Sequence, residues 1–178
     1  GIGKSTGTKL MSACGNINKP GVYEIDMTIS VEEFIFSDEY CGGIAKGKRL
    51  KACIPGGSSV PILPANLIVK TAKGETRYMN YESLSDGGFA TGSMMGSGGF
   101  IVLDEDQCVV KNTLTFARFY RHESCGQCSP CREGTGWMEK ILQSIEYGNG
   151  KMSDIDLLWG IQRKIEGNTI CPLCDAAA

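Results

Sequence analysis

Three cysteines that recur at intervals of three residues are the side chains in this sequence best suited to chemistry. They are Cys125, Cys128 and Cys131, here called the cysteine triplet, and Cys171 follows in a distant segment. Sulfurs spaced in this way can turn toward one centre, and a fourth from elsewhere can complete the shell. Four thiolates are the ligand set of a [4Fe-4S] cluster. The spacing therefore favours a cluster held by these four cysteines.

The same region also permits a structural zinc site. Cys128, Cys131, Cys171 and Cys174 form two Cys-x2-Cys pairs, a spacing typical of four-cysteine zinc sites. A zinc site leaves Cys125 without a role, whereas the cluster uses the whole triplet. We therefore favour the cluster and keep zinc as the alternative. Cys174 lies within one turn of Cys171 and stays a second candidate for the fourth ligand.

Nearby positive charge would raise the reduction potential of a cluster, because reduction adds negative charge. Arg121 and Arg132 flank the triplet and are candidates for this effect, although both are also typical surface residues. The only histidine, His122, is expected at the exposed end of a helix. No nucleophile with a neighbouring base and no paired carboxylates are evident, so we expect no catalytic residue of its own in this chain.

Helices must position these cysteines. After the apolar segment 100–103, the periodicity changes to that of a helix buried on much of its surface, with Asp104 as its predicted cap. This helix leads to the triplet. A second helix is predicted to begin at Cys131 or Arg132, because Pro130 suits the first turn of a helix.

The third predicted helix has the clearest start. Ser153 is its expected N-cap with Asp156 at the third helical position, and Met152 is placed to pack on Leu157. Gly167 is expected to end it. Three helices with short loops around a cysteine site predict an all-α antiparallel helical bundle.

The preceding residues predict a smaller α+β domain. Ser30 and Glu33 form a capping box for a short helix. Strands are predicted at 10–13, 22–27, 51–54 and 100–103. Two strands, a helix crossing over them and further strands suggest a β-grasp-like module. The expected organisation is an N-terminal segment at 1–8, a β-grasp-like domain at 9–103 and a helical cluster-binding domain at 104–178.

Glycine-rich stretches at 56–59 and 87–99 interrupt the first domain. Neither spells the G-x-G-x-x-G dinucleotide fingerprint. Amides of the first stretch could hold an anion, but a tight turn is the simpler interpretation. The second is predicted to be a linker, or a loop whose backbone closely approaches something flat. Residues 1–6, Gly-Ile-Gly-Lys-Ser-Thr, are similar to the end of a phosphate-binding loop but lack its first glycine and preceding strand.

Composition narrows the functional classes. The chain has 178 residues, and 18 basic against 20 acidic side chains give no basic field for nucleic acid. No apolar run is long enough to span a bilayer, and no signal segment is present. Nine cysteines, an odd number, without a secretory signal favour metal ligation over disulfides. The first and last residues suggest a piece of a longer protein, truncated within a helix at its C-terminus.

Several segments of the sequence resemble those of a known family. The segments that carry the resemblance are 123–134 (Glu-Ser-Cys-Gly-Gln-Cys-Ser-Pro-Cys-Arg-Glu-Gly), 167–171 (Gly-Asn-Thr-Ile-Cys), 54–59 and 92–99. They are similar to the C-terminal half of the NADH-binding flavoprotein subunit of respiratory complex I. Related subunits of NAD-linked hydrogenases and formate dehydrogenases contain the same module. The resemblance covers nearly the whole chain.

The resemblance implies a soluble-ligand-binding β-grasp domain followed by an iron–sulfur domain. It implies that Cys125, Cys128, Cys131 and Cys171 hold a [4Fe-4S] cluster, which passes single electrons from FMN, reduced by NADH, to further centres on the way to quinone. The FMN and NADH sites would lie mostly outside this chain, so we expect that the chain alone cannot oxidise NADH. One departure is that Pro-Leu-Cys-Asp follows Cys171 where the family usually has Ala-Leu-Gly-Asp.

The resemblance also implies partners and a location. Other iron–sulfur subunits of a complex I-like assembly would be the partners, with no nucleic acid and no direct insertion into the membrane. The expected location is the cytoplasm, or the cytoplasmic face of the inner membrane as a peripheral subunit. The ligand of the β-grasp-like domain is not indicated by any residue.

Overall fold

The computed structural model describes residues 3–178, apart from the side chain of Phe89. The chain divides into two compact units. The first, here called the sheet unit, ends at Gln107, and the second, the helical unit, comprises Cys108–Ala178. The expected α+β class is confirmed, because one unit contains a five-stranded sheet and the other consists of helices.

The sheet unit is built on one mixed sheet with the strand order β2-β1-β5-β3-β4. Its strands are β1 (Thr8–Gly15), β2 (Gly21–Asp26), β3 (Leu50–Ile54), β4 (Leu63–Pro64) and β5 (Gly99–Asp104). β1 pairs antiparallel with β2 and parallel with β5, and β3 pairs antiparallel with both β5 and β4. A parallel β1–β5 pair requires a long connection, which the intervening helices and loops supply.

Helices in the sheet unit cover and connect the strands. They are α1 (Val31–Phe36), a 3-10 turn at Ala45–Gly47, α2 (Ala65–Val69), α3 (Tyr81–Ser85) and α4 (Gly88–Thr91). Ser30 caps α1, since its hydroxyl accepts a hydrogen bond of 3.0 Å from the Glu33 amide. Phe34 of α1 is fully buried and packs edge-on against Phe100 of β5, with ring centroids 5.0 Å apart. α1 therefore seals one face of the sheet.

The helical unit contains three long helices and a short one. They are α5 (Val109–Glu123), α6 (Ser129–Glu146), α7 (Met152–Ile165) and α8 (Leu173–Ala177). α5 packs against α6, α6 packs against α7, and α8 contacts both α5 and α6. None of the helices described between residues 3 and 178 has the length and apolar character needed to cross a bilayer.

The predicted start of the first long helix is wrong. Asp104 does not cap α5 but ends strand β5, and Cys108 is the residue that precedes the helix. The Asp104 carboxylate is buried 3.6 Å from the Lys48 ammonium and accepts a hydrogen bond from the Asp106 amide. These contacts hold Asp104 in the sheet unit, so the helix begins five residues later.

The predicted starts of the other long helices also need correction. α6 begins at Ser129, before Pro130, and not at Cys131 or Arg132. α7 begins at Met152 with Lys151 in front of it, and Ser153 lies inside its first turn. Asp154, not Asp156, accepts the hydrogen bond from the Lys151 amide, at 2.8 Å. The predicted packing of Met152 on Leu157 would leave both side chains largely at the surface, since Met152 is 81% exposed and Leu157 is 53% exposed.

Candidate metal centre

The cysteine triplet lies where α5 passes into α6. Cys125 and Cys128 are in the connecting loop, and Cys131 is in the first turn of α6. Gly126 has a φ of +78°, a left-handed conformation that glycine adopts without strain and that lets the loop turn tightly between the first two cysteines. Exposure decreases along the triplet, because Cys125 is exposed, Cys128 is half-buried and Cys131 is buried.

Cys171 lies on the loop between α7 and α8, and this loop reaches the triplet. The Ile170 amide donates a hydrogen bond to the Cys128 sulfur, with 3.4 Å between nitrogen and sulfur. The Thr169 hydroxyl donates to the carbonyl oxygen of Cys171, at 3.0 Å, and so fixes the local turn. The structure therefore brings the segment of the predicted fourth ligand against the triplet, with Cys171 itself exposed.

A close approach of α6 and α7 makes this arrangement possible. A Cβ atom added at Gly134 of α6 would lie 2.5 Å from Cδ1 of Ile165, the last residue of α7. Only a residue without a side chain allows Ile165 to occupy that position. Ile165 is buried in one apolar cluster with Cys131, Met138 and Cys174. The end of α7, and with it the loop that carries Cys171, is thereby held beside the triplet.

Cys174 differs in environment from Cys171. It is fully buried in the same apolar cluster as Cys131 and is hydrogen-bonded to it. Burial raises the pKa of the Cys174 thiol to about 12. Cys174 is thus packed in the core beside Cys131, whereas Cys171 stands at the surface.

Other side chains near the triplet are arranged as follows. Arg132 reaches back over the loop, and its guanidinium donates a hydrogen bond of 2.8 Å to the Gly126 carbonyl, while it also pairs with Glu133. Arg121 pairs with Glu139 at 2.7 Å, which offsets its charge. His122 is exposed, as expected. Both arginines are paired with glutamates, and Arg132 is the one that contacts the loop of the triplet directly.

The thiols do not surround one point as they would around a single bound ion. Within residues 3–178, no three side chains of the His, Cys, Asp or Glu type form such a group. The structure brings Cys128 and Cys131 together with Cys174, and it places Cys125 and Cys171 at the surface of the same region.

Two contacts of Cys131 were not predicted from the sequence. The Ser124 hydroxyl lies 3.1 Å from the Cys131 sulfur. The Thr135 hydroxyl, fully buried, donates a hydrogen bond of 2.8 Å to the Cys131 carbonyl one turn earlier in α6. In the sequence, Ser124 lies seven residues before Cys131 and Thr135 lies four residues after it. Hydroxyl residues at such distances from a cysteine are too common to indicate a role.

The N-terminal segment is not arranged to hold a phosphate. Gly1 and Ile2 lie outside the described residues. The Lys4 amide donates a hydrogen bond of 2.9 Å to the Glu82 carboxylate, and the Ser5 hydroxyl donates to the same group. The adjacent cavity, of about 750 Å³, is also lined by Glu75 and Asp86. Carboxylates in these positions repel an anion, so the similarity to a phosphate-binding loop has no counterpart in the geometry.

The two glycine-rich stretches pack against each other within the sheet unit. The Gly57 amide donates to the Gly99 carbonyl at 2.6 Å, and the Ser97 amide donates to the Gly56 carbonyl at 2.9 Å. A Cβ atom at Gly56 would lie 2.4 Å from the carbonyl oxygen of Met94. The predicted close approach of the second stretch is therefore to backbone of the first, and the glycines serve packing.

Comparison with known proteins is consistent with the cysteine site. Residues 111–178 match the family model described as the NADH-ubiquinone oxidoreductase-F iron-sulfur binding region. The NADH-quinone oxidoreductase F subunit of Rickettsia bellii (strain OSU 85-389) is 46% identical over 180 residues, which are 99% of this chain and 40% of the relative. One of the corresponding F subunits of Rhizobium meliloti (strain 1021) is 42% identical over 181 residues, with the same 40% of its length covered. The chain thus spans well under half of these relatives.

Two solved structures have a similar fold. NAD+-reducing [NiFe]-hydrogenase in the air-oxidized state aligns with a TM-score of 0.78 and 25% identity, over 99% of this chain and 28% of that chain. The H2-reduced state aligns with a TM-score of 0.76 over 96% of this chain and 26% of that chain. The family match confirms the expected [4Fe-4S]-binding region. Residues 111–178 therefore match the NADH-ubiquinone oxidoreductase-F iron-sulfur binding region, and the chain is similar along its length to part of the F subunits of NADH-quinone oxidoreductase.

Proposed function

We propose that this chain is the electron-transfer portion of an NADH-dependent oxidoreductase of the NADH-quinone oxidoreductase type. The observation that carries the proposal is the hydrogen bond between the Ile170 amide and the Cys128 sulfur, which joins the two cysteine-bearing loops inside the matched iron–sulfur region. None of the comparisons supports the alternative of a zinc-stapled interaction domain, and the matched region is an iron–sulfur one.

We assign Cys125, Cys128, Cys131 and Cys171 as the ligands of the [4Fe-4S] cluster. The donor set fits the group, because two of the cysteines lie on the loop before α6, one lies in the first turn of α6, and the fourth lies on the loop that the Ile170 amide joins to them. When bound, the cluster supplies one-electron redox chemistry. Cys131 is the ligand shielded from solvent, and Cys125 and Cys171 lie at the surface. Arg132 lies over the loop of the triplet and would favour the reduced, more negative state.

The proposal includes the architecture of the two domains. The strand order and the helix α1 on one face support a β-grasp-like, soluble-ligand-binding domain at 9–103, preceded by a segment at 1–8. The sequential packing of α5, α6 and α7 supports an antiparallel bundle within the cluster-binding domain, which was predicted at 104–178 and whose helical unit begins at Cys108. In this arrangement the bundle sets the distance between the two cysteine loops.

The activity of the whole protein is also inferred. We propose that single electrons reach the site from FMN reduced by NADH, both bound mostly outside this chain, and continue to further iron–sulfur subunits and to quinone. The names of the relatives and the NAD+-reducing hydrogenases support this setting. We place the protein in the cytoplasm or at the cytoplasmic face of the inner membrane, as a peripheral subunit. The chain alone is not expected to oxidise NADH.

Metal analysis of the chain purified without oxygen tests the proposal. We expect about four irons and four sulfides per chain, with broad visible absorbance that bleaches on reduction with dithionite. NADH should not bleach this absorbance in the isolated chain, because the flavin is missing. A colourless protein that carries one zinc ion would contradict the proposal and establish the zinc alternative.

A further inference from the structure

Cys131 is the most enclosed of the proposed ligands, and its sulfur has a hydroxyl beside it. Ser124, the residue that follows α5, places its Oγ 3.1 Å from the Cys131 Sγ. The same oxygen accepts a hydrogen bond of 3.3 Å from the Gly126 amide. The serine is therefore held from two sides, by the backbone of the loop and by the cysteine.

Ligation of Cys131 as a thiolate decides which way the Ser124 hydroxyl hydrogen points. A lone pair of the Ser124 oxygen is used by the Gly126 amide, and the hydroxyl hydrogen remains available for the sulfur. A cysteine thiol could act as donor or acceptor at this distance. A metal ligand is a thiolate, which has no hydrogen. Ser124 must then be the donor to Cys131.

The surroundings make such a hydrogen bond strong. Cys131 is only 7% exposed and packs with Met138 and Ile165 in an apolar cluster. Hydrogen bonds to charged acceptors are stronger than neutral ones, and a low local dielectric strengthens them further. In contrast, Cys125 is exposed, so water can solvate its sulfur.

We propose that Ser124 is a positioning residue that donates a hydrogen bond to the sulfur of Cys131 and thereby raises the reduction potential of the cluster. The inference rests on the proposed role of Cys131 as a ligand. Reduction adds negative charge, part of which lies on the ligand sulfurs, so a donor at the sulfur stabilises the reduced state more than the oxidised state.

Variants at Ser124 in the assembled, cluster-loaded protein test this. Ser124→Thr keeps the hydroxyl, Ser124→Val has nearly the same shape as that variant without the hydroxyl, and Ser124→Ala removes the hydroxyl with least steric change. Redox titration followed by electron paramagnetic resonance of the reduced cluster gives the midpoint potential. We expect a lower potential for the Val and Ala variants than for wild type, and a potential restored toward wild type for Thr.

Thr115→Val is the matched control, because it also exchanges a hydroxyl for a methyl group. Thr115 is exposed on α5, and its hydroxyl donates to the Lys111 carbonyl at 3.0 Å and not to a sulfur. We expect the potential of this variant to equal that of wild type. Equal potentials for the Thr and Val variants at Ser124, or an equal shift for Thr115→Val, would overturn the role of Ser124.

Two further readouts separate the remaining outcomes. If the Val and Ala variants lose the cluster, the iron–sulfur stretching frequencies decide, measured by resonance Raman after transfer to D2O for wild type and for Cys174→Ala, which removes the other side chain hydrogen-bonded to Cys131. A shift that persists in Cys174→Ala and is complete before the Ile170 amide at Cys128 has exchanged supports the hydroxyl donor. Unchanged frequencies over that interval, or a shift that is lost in Cys174→Ala, contradict it. A wild-type protein without four irons would overturn the proposed function itself, independently of Ser124.

Discussion

Five of the six thiols in the helical unit lie near the site, and their different exposure separates their roles. Cys131 and Cys174 are buried together, Cys128 is half-buried, and Cys125 and Cys171 are exposed. A buried thiol without a metal keeps its proton, as the raised pKa of Cys174 indicates. The loop between α7 and α8 therefore offers one surface thiol to the site, and α8 places one packed thiol beside it.

Replacement of these two thiols distinguishes ligand from packing residue. For Cys171→Ala we expect loss of the four-iron cluster, with fewer than four irons per chain, because one of four ligands is missing. For Cys174→Ala we expect the iron content to stay at four, with the unfolding free energy lowered by about 1–2 kcal/mol through the small cavity left in the core. Iron and sulfide assays with thermal unfolding measure both.

Cys14→Ala is a suitable control, since Cys14 is exposed in the sheet unit and should leave iron content unchanged. Loss of iron from Cys174→Ala together with full iron in Cys171→Ala would show that Cys174 is the fourth ligand instead.

Glycines allow neighbouring elements of this chain to approach each other closely. In the sheet unit, Gly56 lies against the backbone of Met94 to Gly96, and hydrogen bonds join the two glycine-rich stretches. In the helical unit, Gly134 admits Ile165 against α6. In both places a missing side chain lets two segments meet, and the elements that follow are positioned by that contact.

Gly56→Ala tests the packing of the two glycine-rich stretches. Its Cβ would lie 2.4 Å from the Met94 carbonyl oxygen and 2.7 Å from the Gly96 nitrogen, and backbone atoms cannot rotate away. We expect the free energy of unfolding to fall by about 1–3 kcal/mol, measured by chemical denaturation. In Gly21→Ala the Cβ would meet only the Tyr23 side chain, at an ordinary 3.5 Å. We expect this control to change the free energy of unfolding by at most about 0.5 kcal/mol. Equal effects of the two variants would contradict this explanation.

The two units have cores of different size at the scale of the whole molecule. The core of the sheet unit contains seventeen buried residues in one cluster, whereas the buried residues of the helical unit fall into clusters of four and three. A small core supplies little stability, and bound metal commonly compensates for it. We infer that the cluster is a structural element of the helical unit as well as a redox centre.

Removal of the cluster should therefore weaken one unit selectively. Both tryptophans, Trp137 and Trp159, lie in the helical unit, so tryptophan fluorescence follows its unfolding alone. After anaerobic chelation of iron we expect its unfolding midpoint to fall by on the order of 10 °C. Amide exchange in strands β1 to β5 should be unchanged in the same samples. An unchanged fluorescence transition, or an equal loss of protection in the sheet, would show that the cluster does not stabilise the helical unit in this way.

Local sequence determined the parts of this protein that depend on neighbours along the chain. The strands predicted at 10–13 and 22–27, the cap at Ser30 and the ligand spacing of the triplet are signals within a few residues, and the related proteins support the expected kind of site. The helix starts at Asp104 and Ser153 were predicted wrongly, because residues that can cap a helix are common and several near each start could have served as the N-cap. The ion pair of Asp104 with Lys48, 56 positions apart, decided the first case.

Only the tertiary structure decided the contacts between distant segments. The burial of Cys174 beside Cys131, the hydrogen bond from Ile170 to Cys128, and the fit of Gly134 to Ile165 each join residues that no local pattern relates. The packing of α6 against α7 sets all of them, because it fixes where the second cysteine loop arrives. Spacing thus identified which atoms can bind a cluster, and packing decided which thiols face solvent and which are enclosed.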